Sequence, residues 1–259
     1  MGKVIVVKLG GATLGSHDTS IEDIVELQRQ GKSLVVVHGG GKVITEWLER
    51  GGTSPRFVHG ERVTDEATLE VVISVLAGLV NKEIVASMNS LEGKAVGISG
   101  VDGGLIQGRI KDKELGYIGE VMRVNLTPLE ALLRSGYIPV IAPVSLNAGK
   151  PGKVPKVLNI NADAVAAEIA AAISADRLII LTDVVGVCDQ SGNLLPRLSP
   201  DEAEALLASG VASGGMIPKI KACLRALSGT SITRIIDGRQ PHALLKEIEG
   251  HGGGTTIEK

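Results

Sequence analysis

The sequence predicts an α/β fold in which a mainly parallel sheet is covered by helices on both faces. Short blocks of Val, Ile and Leu alternate along most of the chain with longer segments of helical periodicity. Several blocks are apolar at nearly every position, which is typical of parallel strands that are buried on both faces. Two of these blocks, 4–9 and 34–38, end directly in runs of glycine. Strands that end in this way open into loops whose backbone N–H groups can face an anion.

The predicted elements follow one another along the whole chain. Strands are expected at 4–9, 34–38, 94–100, 137–143, 177–182 and 234–237. Helices are expected at 20–30, 42–50, 66–89, 127–135, 163–175, 200–209, around Lys219 and from 241. Ser20 and Asp23 have the spacing of a capping box at the start of the first helix. Segment 105–124 consists of short alternating stretches punctuated by glycine, which predicts a small β-hairpin lobe able to cover a substrate.

Composition restricts the class of protein. The 259 residues can bury a large core as one domain or as two lobes, and a formal net charge of −2 gives no general attraction to nucleic acid or anionic lipid. Aromatic side chains for base stacking are scarce, since the chain has one Trp, two Tyr and one Phe. No apolar run reaches the length of a membrane span, and the chain does not open on a secretion signal. We therefore expect a cytoplasmic protein without nucleic-acid or membrane partners.

The first candidate site follows the two strands that end in glycine. Lys8 stands in an apolar strand just before Gly10 and Gly11, and His38 stands just before three glycines at 39–41. A buried lysine is costly unless it meets an opposite charge, and the glycines let a phosphate approach the backbone. The alternatives are a strand-end lysine that reaches water and a simple flexible turn. We interpret His38 as a packing or hydrogen-bonding residue rather than as a base.

Three charged residues farther along the chain are also candidates. Arg62 has the guanidinium fork that binds a carboxylate in bidentate fashion, or it is a surface arginine before a helix. Asp163 is either the N-cap of the next helix or, with Asn159 and Asn161, part of a cluster that positions ligands. Lys219 lies one turn into a helix opened by glycines, where a bound anion would offset its repulsion by the helix dipole. The alternative is that Lys219 is an ordinary helix residue whose ammonium group is exposed to solvent.

The Walker A, Rossmann and protein-kinase motifs do not occur, but seven other motifs in order along the chain resemble those of acetylglutamate kinases, in the amino-acid kinase family. They are KLGG at 8–11, HGGG at 38–41, RVTD at 62–65, VNK at 80–82, NINAD at 159–163, LTDV at 181–184 and GGMIPK at 214–219. The resemblance implies a single domain, 1–259, built as a three-layer α/β/α sandwich with a small β-hairpin lid. It places an acyl-amino-acid-binding lobe at about 1–157 and an ATP-binding lobe at about 158–259.

The resemblance also implies a reaction and a role for each matching residue. The reaction transfers the γ-phosphoryl group of ATP, bound with Mg²⁺, to the side-chain carboxylate of N-acetyl-L-glutamate in arginine biosynthesis. Lys8 and Lys219 match the lysines that stabilise charge on the transferred group, and Asp163 matches the aspartate that holds both. The other matching positions are Gly40, Gly41, Arg62 and Asn159 for the acyl amino acid, and Gly10, Gly11, Thr182 and Asp183 for the nucleotide. The sequence provides no protein ligand for the metal.

Two other functions stay open at this point. The basic loop at 145–156 departs from the family pattern, and Arg56 and His59 add positive charge beside Arg62. A kinase for aminoadipate or glutamate attached to an acidic amino-group carrier protein is therefore the second reading. The third is an amino-acid-sensing module that binds ligands without transferring phosphate. The presence of Lys8, Lys219 and Asp163 argues against that module, which is expected to lack a charge-stabilising lysine.

Assembly is predicted from the long helix at 66–89. It carries more apolar residues than one buried face requires, so it offers a two-fold interface and we expect a homodimer. In the resembling family, members inhibited by L-arginine carry an extra N-terminal helix that links dimers into a hexamer. Here three residues precede the first strand. The expectation is therefore a dimer whose activity does not respond to L-arginine.

Overall fold

The computed structural model describes residues 3–10, 19–58, 60–149 and 155–259, so the predictions for Gly11, His59 and loop residues 150–154 lie outside it. The described strands are β1 (Val4–Leu9), β2 (Ser33–His38), β3 (Phe57–Val58), β4 (Glu61–Arg62), β5 (Ala95–Gly100), β6 (Ile106–Ile110), β7 (Ile118–Val124), β8 (Ile138–Asn147), β9 (Val157–Ile160), β10 (Arg177–Thr182), β11 (Arg197–Leu198), β12 (Ile232–Asp237) and β13 (Thr255–Glu258).

The described helices occupy both sides of the sheet. They are α1 (Ser20–Arg29), α2 (Gly41–Arg50), α3 (Glu66–Ile73), α4 (Asn81–Ser90), α5 (Thr127–Arg134), α6 (Ala162–Ala172), α7 (Pro200–Ala208), α8 (Met216–Ala226) and α9 (Ala243–Ile248). Eleven strands form one sheet in the order β11-β13-β12-β10-β1-β2-β8-β6-β7-β9, with β5 paired to β8. Its central pairs are parallel, whereas β12–β13, β6–β7 and β8–β9 are antiparallel. The mainly parallel sheet is thus confirmed.

The first strand shows how the three layers arise. Val4 and Val6 belong to the apolar core that includes residues of α5, α6, α7 and α8. Ile5 and Val7 belong to the opposite core, built with α1, α2, α3, α4 and α9. Because side chains alternate along a strand, Lys8 lies on the face of Val4 and Val6, toward α6 and α8. The sequence pattern therefore directs a charged side chain into the layer between the sheet and these two helices.

The carboxyl ends of the central strands meet at one edge of the sheet. In the pairing register, Leu9 lies beside both His38 and Leu181. Thr182, at the end of β10, lies beside Asp237 at the end of β12. Ligands in open α/β sheets bind outside this edge, where the loops leave the strands. The glycine turn after β2 opens onto this edge.

The predicted β-hairpin is present, but it is not a separate lobe. β6 and β7 form an antiparallel pair, as expected. β6 also pairs with β8, and β7 pairs with β9, so the hairpin extends the main sheet. The pairs of Gln107 with Leu146 and of Ile118 with Asn159 join segments that are distant in sequence. Periodicity within the hairpin contains no information about such partners.

The predicted capping box of α1 is wrong. Thr19 precedes the helix and Ser20 is its first residue, so Ser20 does not occupy the cap position. The Asp23 carboxylate instead accepts hydrogen bonds from the backbone N–H groups of Leu244 and Leu245, at 3.2 and 3.3 Å. It also pairs with the Nδ1 atom of His242 at 2.8 Å. Asp23 therefore ties α1 to the start of α9, near the other end of the chain.

The long helix predicted at 66–89 is confirmed as a continuous helical segment, Glu66–Ser90. Its middle, Ser74–Val80, is π-helical, which the apolar pattern did not predict. This segment is the one stretch of the described chain whose length and composition would suit a membrane span. Its buried residues, among them Val72, Val75 and Leu76, pack in the core against the sheet. The apolar window of the segment is 39% buried in the single chain, so one face of the helix packs in the core.

Candidate active site

A buried ion cluster lies where β1, α6 and α8 meet. The Lys8 Nζ atom is 2.8 Å from Asp163 Oδ1, and the Lys219 Nζ atom is 3.5 Å from Asp163 Oδ2. Lys8 is 6% exposed and Asp163 is 4% exposed. Lys219 also donates to the carbonyl oxygen of Gly215 at 3.2 Å. One carboxylate thus lies between two ammonium groups from different parts of the chain, and the cluster has a net charge of +1.

Local capping explains why Asp163 is available for this cluster. The side-chain Oδ1 atom of Asn161 accepts hydrogen bonds from the backbone N–H groups of Asp163 and Ala164, at 2.8 and 3.2 Å. Asn161, rather than Asp163, is therefore the N-cap of α6. The interpretation of Asp163 as a cap is wrong, and its carboxylate can face Lys8 and Lys219 instead.

The protonation state of Asp163 follows from two opposing effects. Burial on its own would raise the pKa of the carboxyl group, because the charged form loses its hydration. The positive charges of Lys8 and Lys219 outweigh burial, and the pKa of Asp163 is lowered below its ordinary value. Asp163 is consequently a carboxylate at neutral pH, and it lies between the two lysine side chains.

The glycine turn after β2 begins the next part of the site. The N–H group of Gly39 donates to the carbonyl oxygen of Leu9 at 3.0 Å, which joins this turn to the end of β1. At Gly40, a Cβ atom would lie 2.7 Å from the Cδ2 atom of Leu76 in the π-helical stretch, so a side chain there would collide. At Gly41, the first residue of α2, a Cβ atom would meet nothing within 4 Å. Gly40 is needed for packing, whereas Gly41 keeps the helix start open.

Arg62 lies next to this turn and is nearly buried, at 8% exposure. Its Nη2 atom donates to the carbonyl oxygen of Gly41 at 2.9 Å and to the hydroxyl of Thr45 at 2.7 Å. The guanidinium also stacks over the ring of Phe57, 4.8 Å from its centroid. The other terminal nitrogen, Nη1, is buried and has no hydrogen-bond partner within the described chain. A buried donor of this kind is costly unless a ligand satisfies it, so the reading of Arg62 as a plain surface residue is wrong.

Asn159 is connected to Arg62 through a residue that the sequence analysis did not single out. The Asn159 Nδ2 atom donates to the hydroxyl oxygen of Thr64 at 3.2 Å. That hydroxyl in turn donates to the carbonyl oxygen of Arg62 at 3.0 Å. Thr64 is fully buried. The only signal for it in the sequence was its place in the RVTD motif at 62–65.

His38 is held in a neutral state by its surroundings. Its Nδ1 atom is 2.8 Å from the carbonyl oxygen of Gly39, and its Nε2 atom is 3.1 Å from the Nδ2 atom of Asn81. A carbonyl oxygen can only accept, so Nδ1 carries the proton and Nε2 accepts from Asn81. Burial lowers the pKa of His38 to about 4; the contact with Gly39 raises it somewhat, and the charge of Lys82 lowers it. This geometry supports the packing and hydrogen-bonding role over that of a base.

Thr182 and Asp183 form a separate group at the end of β10. The Thr182 hydroxyl is 3.4 Å from Asp183 Oδ1, and the Thr182 carbonyl oxygen accepts from the N–H group of Gly238 at 2.9 Å. Thr182 is buried, whereas Asp183 is exposed. Two exposed apolar residues, Val184 and Val185, follow directly. This edge of the sheet therefore presents an apolar strip beside a carboxylate.

The described chain contains no group of three or more His, Cys, Asp or Glu side chains arranged to hold a metal ion. Asp163 is already paired with two lysines, and Asp237 is paired with Arg239 at 2.8 Å.

Comparison with known proteins places this chain in a single protein family. The amino acid kinase family model matches residues 3–237. An acetylglutamate kinase of Dehalococcoides mccartyi is 49% identical over 255 residues, which cover 98% of this chain and 94% of the relative. An acetylglutamate kinase of Synechococcus elongatus is 47% identical over 265 residues, covering 99% and 86%. The crystal structure of smu.665 from Streptococcus mutans superposes with a TM-score of 0.84 at 27% identity, covering 100% of this chain and 99% of the other.

Proposed function

Because this chain belongs to the amino acid kinase family, we propose that it transfers the γ-phosphoryl group of ATP to the side-chain carboxylate of N-acetyl-L-glutamate. The product is N-acetyl-L-glutamyl 5-phosphate, an intermediate of arginine biosynthesis, which places the protein in the cytoplasm. Relatives named acetylglutamate kinase support the choice of acceptor, since they are 46–49% identical over at least 95% of this chain.

The observation that carries the proposal is the ion cluster of Lys8, Asp163 and Lys219. Phosphoryl transfer needs alignment and neutralisation of charge on the transferred group, and a carboxylate acceptor needs no base. Two lysines paired with one carboxylate supply positive charge that is positioned in advance of the reaction. We assign Lys8 and Lys219 to the transferred phosphoryl group and Asp163 to holding them in place.

The acceptor is assigned to the side of the site that holds Arg62. Its unpartnered Nη1 atom suits a carboxylate of the acyl amino acid, because charge-assisted hydrogen bonds satisfy a buried guanidinium well. Asn159 lies in the same hydrogen-bonded network and offers an amide. The turn at Gly40 and Gly41 lets the substrate approach the backbone. These four residues form the proposed acyl-amino-acid site.

The nucleotide is assigned to the other side of the cluster. Gly10 and Gly11 follow Lys8 after the single residue Leu9 and are proposed to face the phosphates. Thr182 and Asp183 are proposed as part of the nucleotide wall. Mg²⁺ bound with ATP would supply a Lewis acid that offsets phosphate charge. In this division residues 1–157 form the acyl-amino-acid lobe and residues 158–259 form the ATP lobe.

The assembly proposed for this protein is a homodimer formed through Glu66–Ser90. Several apolar residues of this segment are only partly buried in the single chain: Val71, Ile73, Ala77 and Leu79. A two-fold axis across the segment would cover these residues in both copies. Light scattering should give twice the chain mass of 26.8 kDa, and Leu79→Asp should give the single mass. A monomer mass for the unaltered protein would refute this assembly.

The decisive experiment is an acceptor comparison with the purified protein. ADP formation is measured with free N-acetylglutamate, with N-acetylaminoadipate, with carrier-linked glutamate and without an acceptor, and the acyl phosphate is trapped with hydroxylamine. Turnover and hydroxamate with free N-acetylglutamate support the proposal. Turnover on the carrier-linked acceptor alone would replace it with the carrier-protein reading. Binding of N-acetylglutamate without ADP formation would indicate a sensing module instead.

A further inference from the structure

The hydroxyl of Thr64 lies between the two side chains assigned to the acceptor. It donates to the carbonyl oxygen of Arg62 at 3.0 Å and accepts from the Nδ2 atom of Asn159 at 3.2 Å. Thr64 is fully buried, and so is the hydrogen bond between it and Asn159, which joins residues 95 positions apart in the chain. Thr64 therefore links the two proposed substrate-binding residues directly.

Proton counting shows that this link defines the orientation of Asn159. A threonine hydroxyl has one hydrogen, and the carbonyl oxygen of Arg62 can only accept it. With its hydrogen used in this way, the Thr64 oxygen can only accept from Asn159, which must present its NH₂ group. The side-chain oxygen of Asn159 and the second N–H of its amide are therefore not used by Thr64. A flipped amide would leave either the Arg62 carbonyl or the Thr64 oxygen without its partner.

The backbone around Thr64 makes this arrangement rigid. The Thr64 N–H group donates to the carbonyl oxygen of Leu115 at 3.0 Å, and the Thr64 carbonyl oxygen accepts from the N–H group of Tyr117 at 2.7 Å. Tyr117 in turn accepts, through its carbonyl oxygen, from the backbone N–H group of Asn159 at 3.0 Å. The β6–β7 connection therefore holds Thr64 and the Asn159 backbone in one hydrogen-bonded frame.

We propose that Thr64 is a positioning residue for the acceptor, which sets the orientation of Asn159. This role rests on the proposed function, since it concerns the acyl-amino-acid side of the site. The hydrogen bonds described for Thr64 join it to Arg62, Leu115, Tyr117 and Asn159, none of which belongs to the ion cluster. Its loss should consequently weaken acceptor binding and leave nucleotide binding unchanged.

Thr64→Val and Thr64→Ser test the hydroxyl separately from the shape of the side chain. Valine keeps the volume and removes both hydrogen bonds of the hydroxyl, so the KM for N-acetylglutamate should rise about tenfold, a change within the usual range for lost buried hydrogen bonds. Serine keeps the hydroxyl and should restore KM to within about twofold of the unaltered enzyme. The KM for ATP should move less than about twofold in both variants. Thr230→Val is the matched control, because Thr230 is a buried threonine whose hydroxyl donates to Ala226 at 3.1 Å.

A double-mutant cycle separates positioning from general destabilisation. If Thr64 acts through Asn159, then Thr64→Val should add little to the KM of an Asn159→Ala variant, because the orientation it defines has already been lost. The proposal would be overturned if the double variant showed the product of the two single-variant increases in KM for N-acetylglutamate. An unchanged KM for N-acetylglutamate in Thr64→Val, or an equal rise in its KM values for N-acetylglutamate and ATP, would also overturn it. Absence of turnover on N-acetylglutamate in the unaltered enzyme would instead overturn the proposed function, and with it this role.

Discussion

His38→Gln should remove a large part of the acid sensitivity of folding. His38 is fully buried beside the glycine turn, with the Gly39 carbonyl at one ring nitrogen and the Asn81 amide at the other. Burial lowers its pKa from 6.5 to about 4, so the folded protein keeps this ring neutral at pH values where the unfolded chain protonates it. Glutamine cannot be protonated in this range, and its carbonyl oxygen can accept from Asn81 in place of Nε2.

The sign and size of the effect follow from the two pKa values. Above about pH 6.5 the ring is neutral in both states, and His38 adds no pH dependence. As the pH falls from about 6.5 to about 4, only the unfolded chain takes up the proton, so the free energy of unfolding decreases. The difference of 6.5 − 4 corresponds to roughly 3 kcal/mol at full extent, of which roughly 2.5 kcal/mol should appear between about pH 7.5 and about pH 4.5.

Urea denaturation at these two pH values measures the effect directly. The unaltered protein should lose roughly 2.5 kcal/mol more unfolding free energy on acidification than His38→Gln, with equal m-values. Other titrating groups are common to both proteins and cancel in the comparison. An equal loss in both would refute the buried neutral ring. If His38 were a base in the reaction, kcat of the variant would collapse at every pH; a kcat within about tenfold of the unaltered enzyme is expected instead.

Three further substitutions test separate parts of the site. Lys8→Met should lower kcat by about 100-fold or more and change KM much less, because the ammonium stabilises charge that develops in the transition state; an unchanged kcat would exclude it from the reaction. Arg62→Lys should raise the KM for N-acetylglutamate about tenfold and spare that for ATP, whereas Arg225→Lys, at an exposed ion pair, should change neither. Gly116→Ala should cost about 2–3 kcal/mol of stability, since φ is +70° and the added Cβ would collide with the carbonyl oxygen of Thr64. Gly136→Ala, with φ of +76° and open space, should cost about 1 kcal/mol, and equal losses in urea denaturation would contradict the clash.

Local patterns predicted most of the fold, because they report burial along each element. The apolar block at 4–9 predicted a buried strand, and the structure has β1 at Val4–Leu9 with every residue buried. The pairing of the hairpin with β8 and β9 could not be predicted in this way, since register between distant segments depends on partners that periodicity does not name. The capping box of α1 failed for the same reason. The partners of Asp23 lie more than 200 positions away, in and next to α9.

The candidate site was predictable where a residue type is unusual for its place. A lysine within an apolar strand and glycines after buried strands are costly features, so they indicated ligands. Asn161 and Thr64 are ordinary residues for their positions, and only the geometry shows what they do. Asn161 caps α6 and leaves Asp163 unused by the helix. Thr64 satisfies two polar groups that come together only in the folded chain.

The ion cluster shows how a site can be charged and still open to an anion. Each ammonium group carries three N–H donors, and the Lys8 Nζ atom forms an ion pair with Asp163 Oδ1 at 2.8 Å. Asp163 has a single negative charge for two lysines, so it stabilises both without neutralising them. If the cluster had a second carboxylate, each lysine would be neutralised by its own partner. A phosphate could then reach a lysine only by displacing one of the carboxylates. With one carboxylate, the remaining charge and donors are available to an incoming phosphoryl group, and removing Asp163 would leave two buried lysines repelling each other.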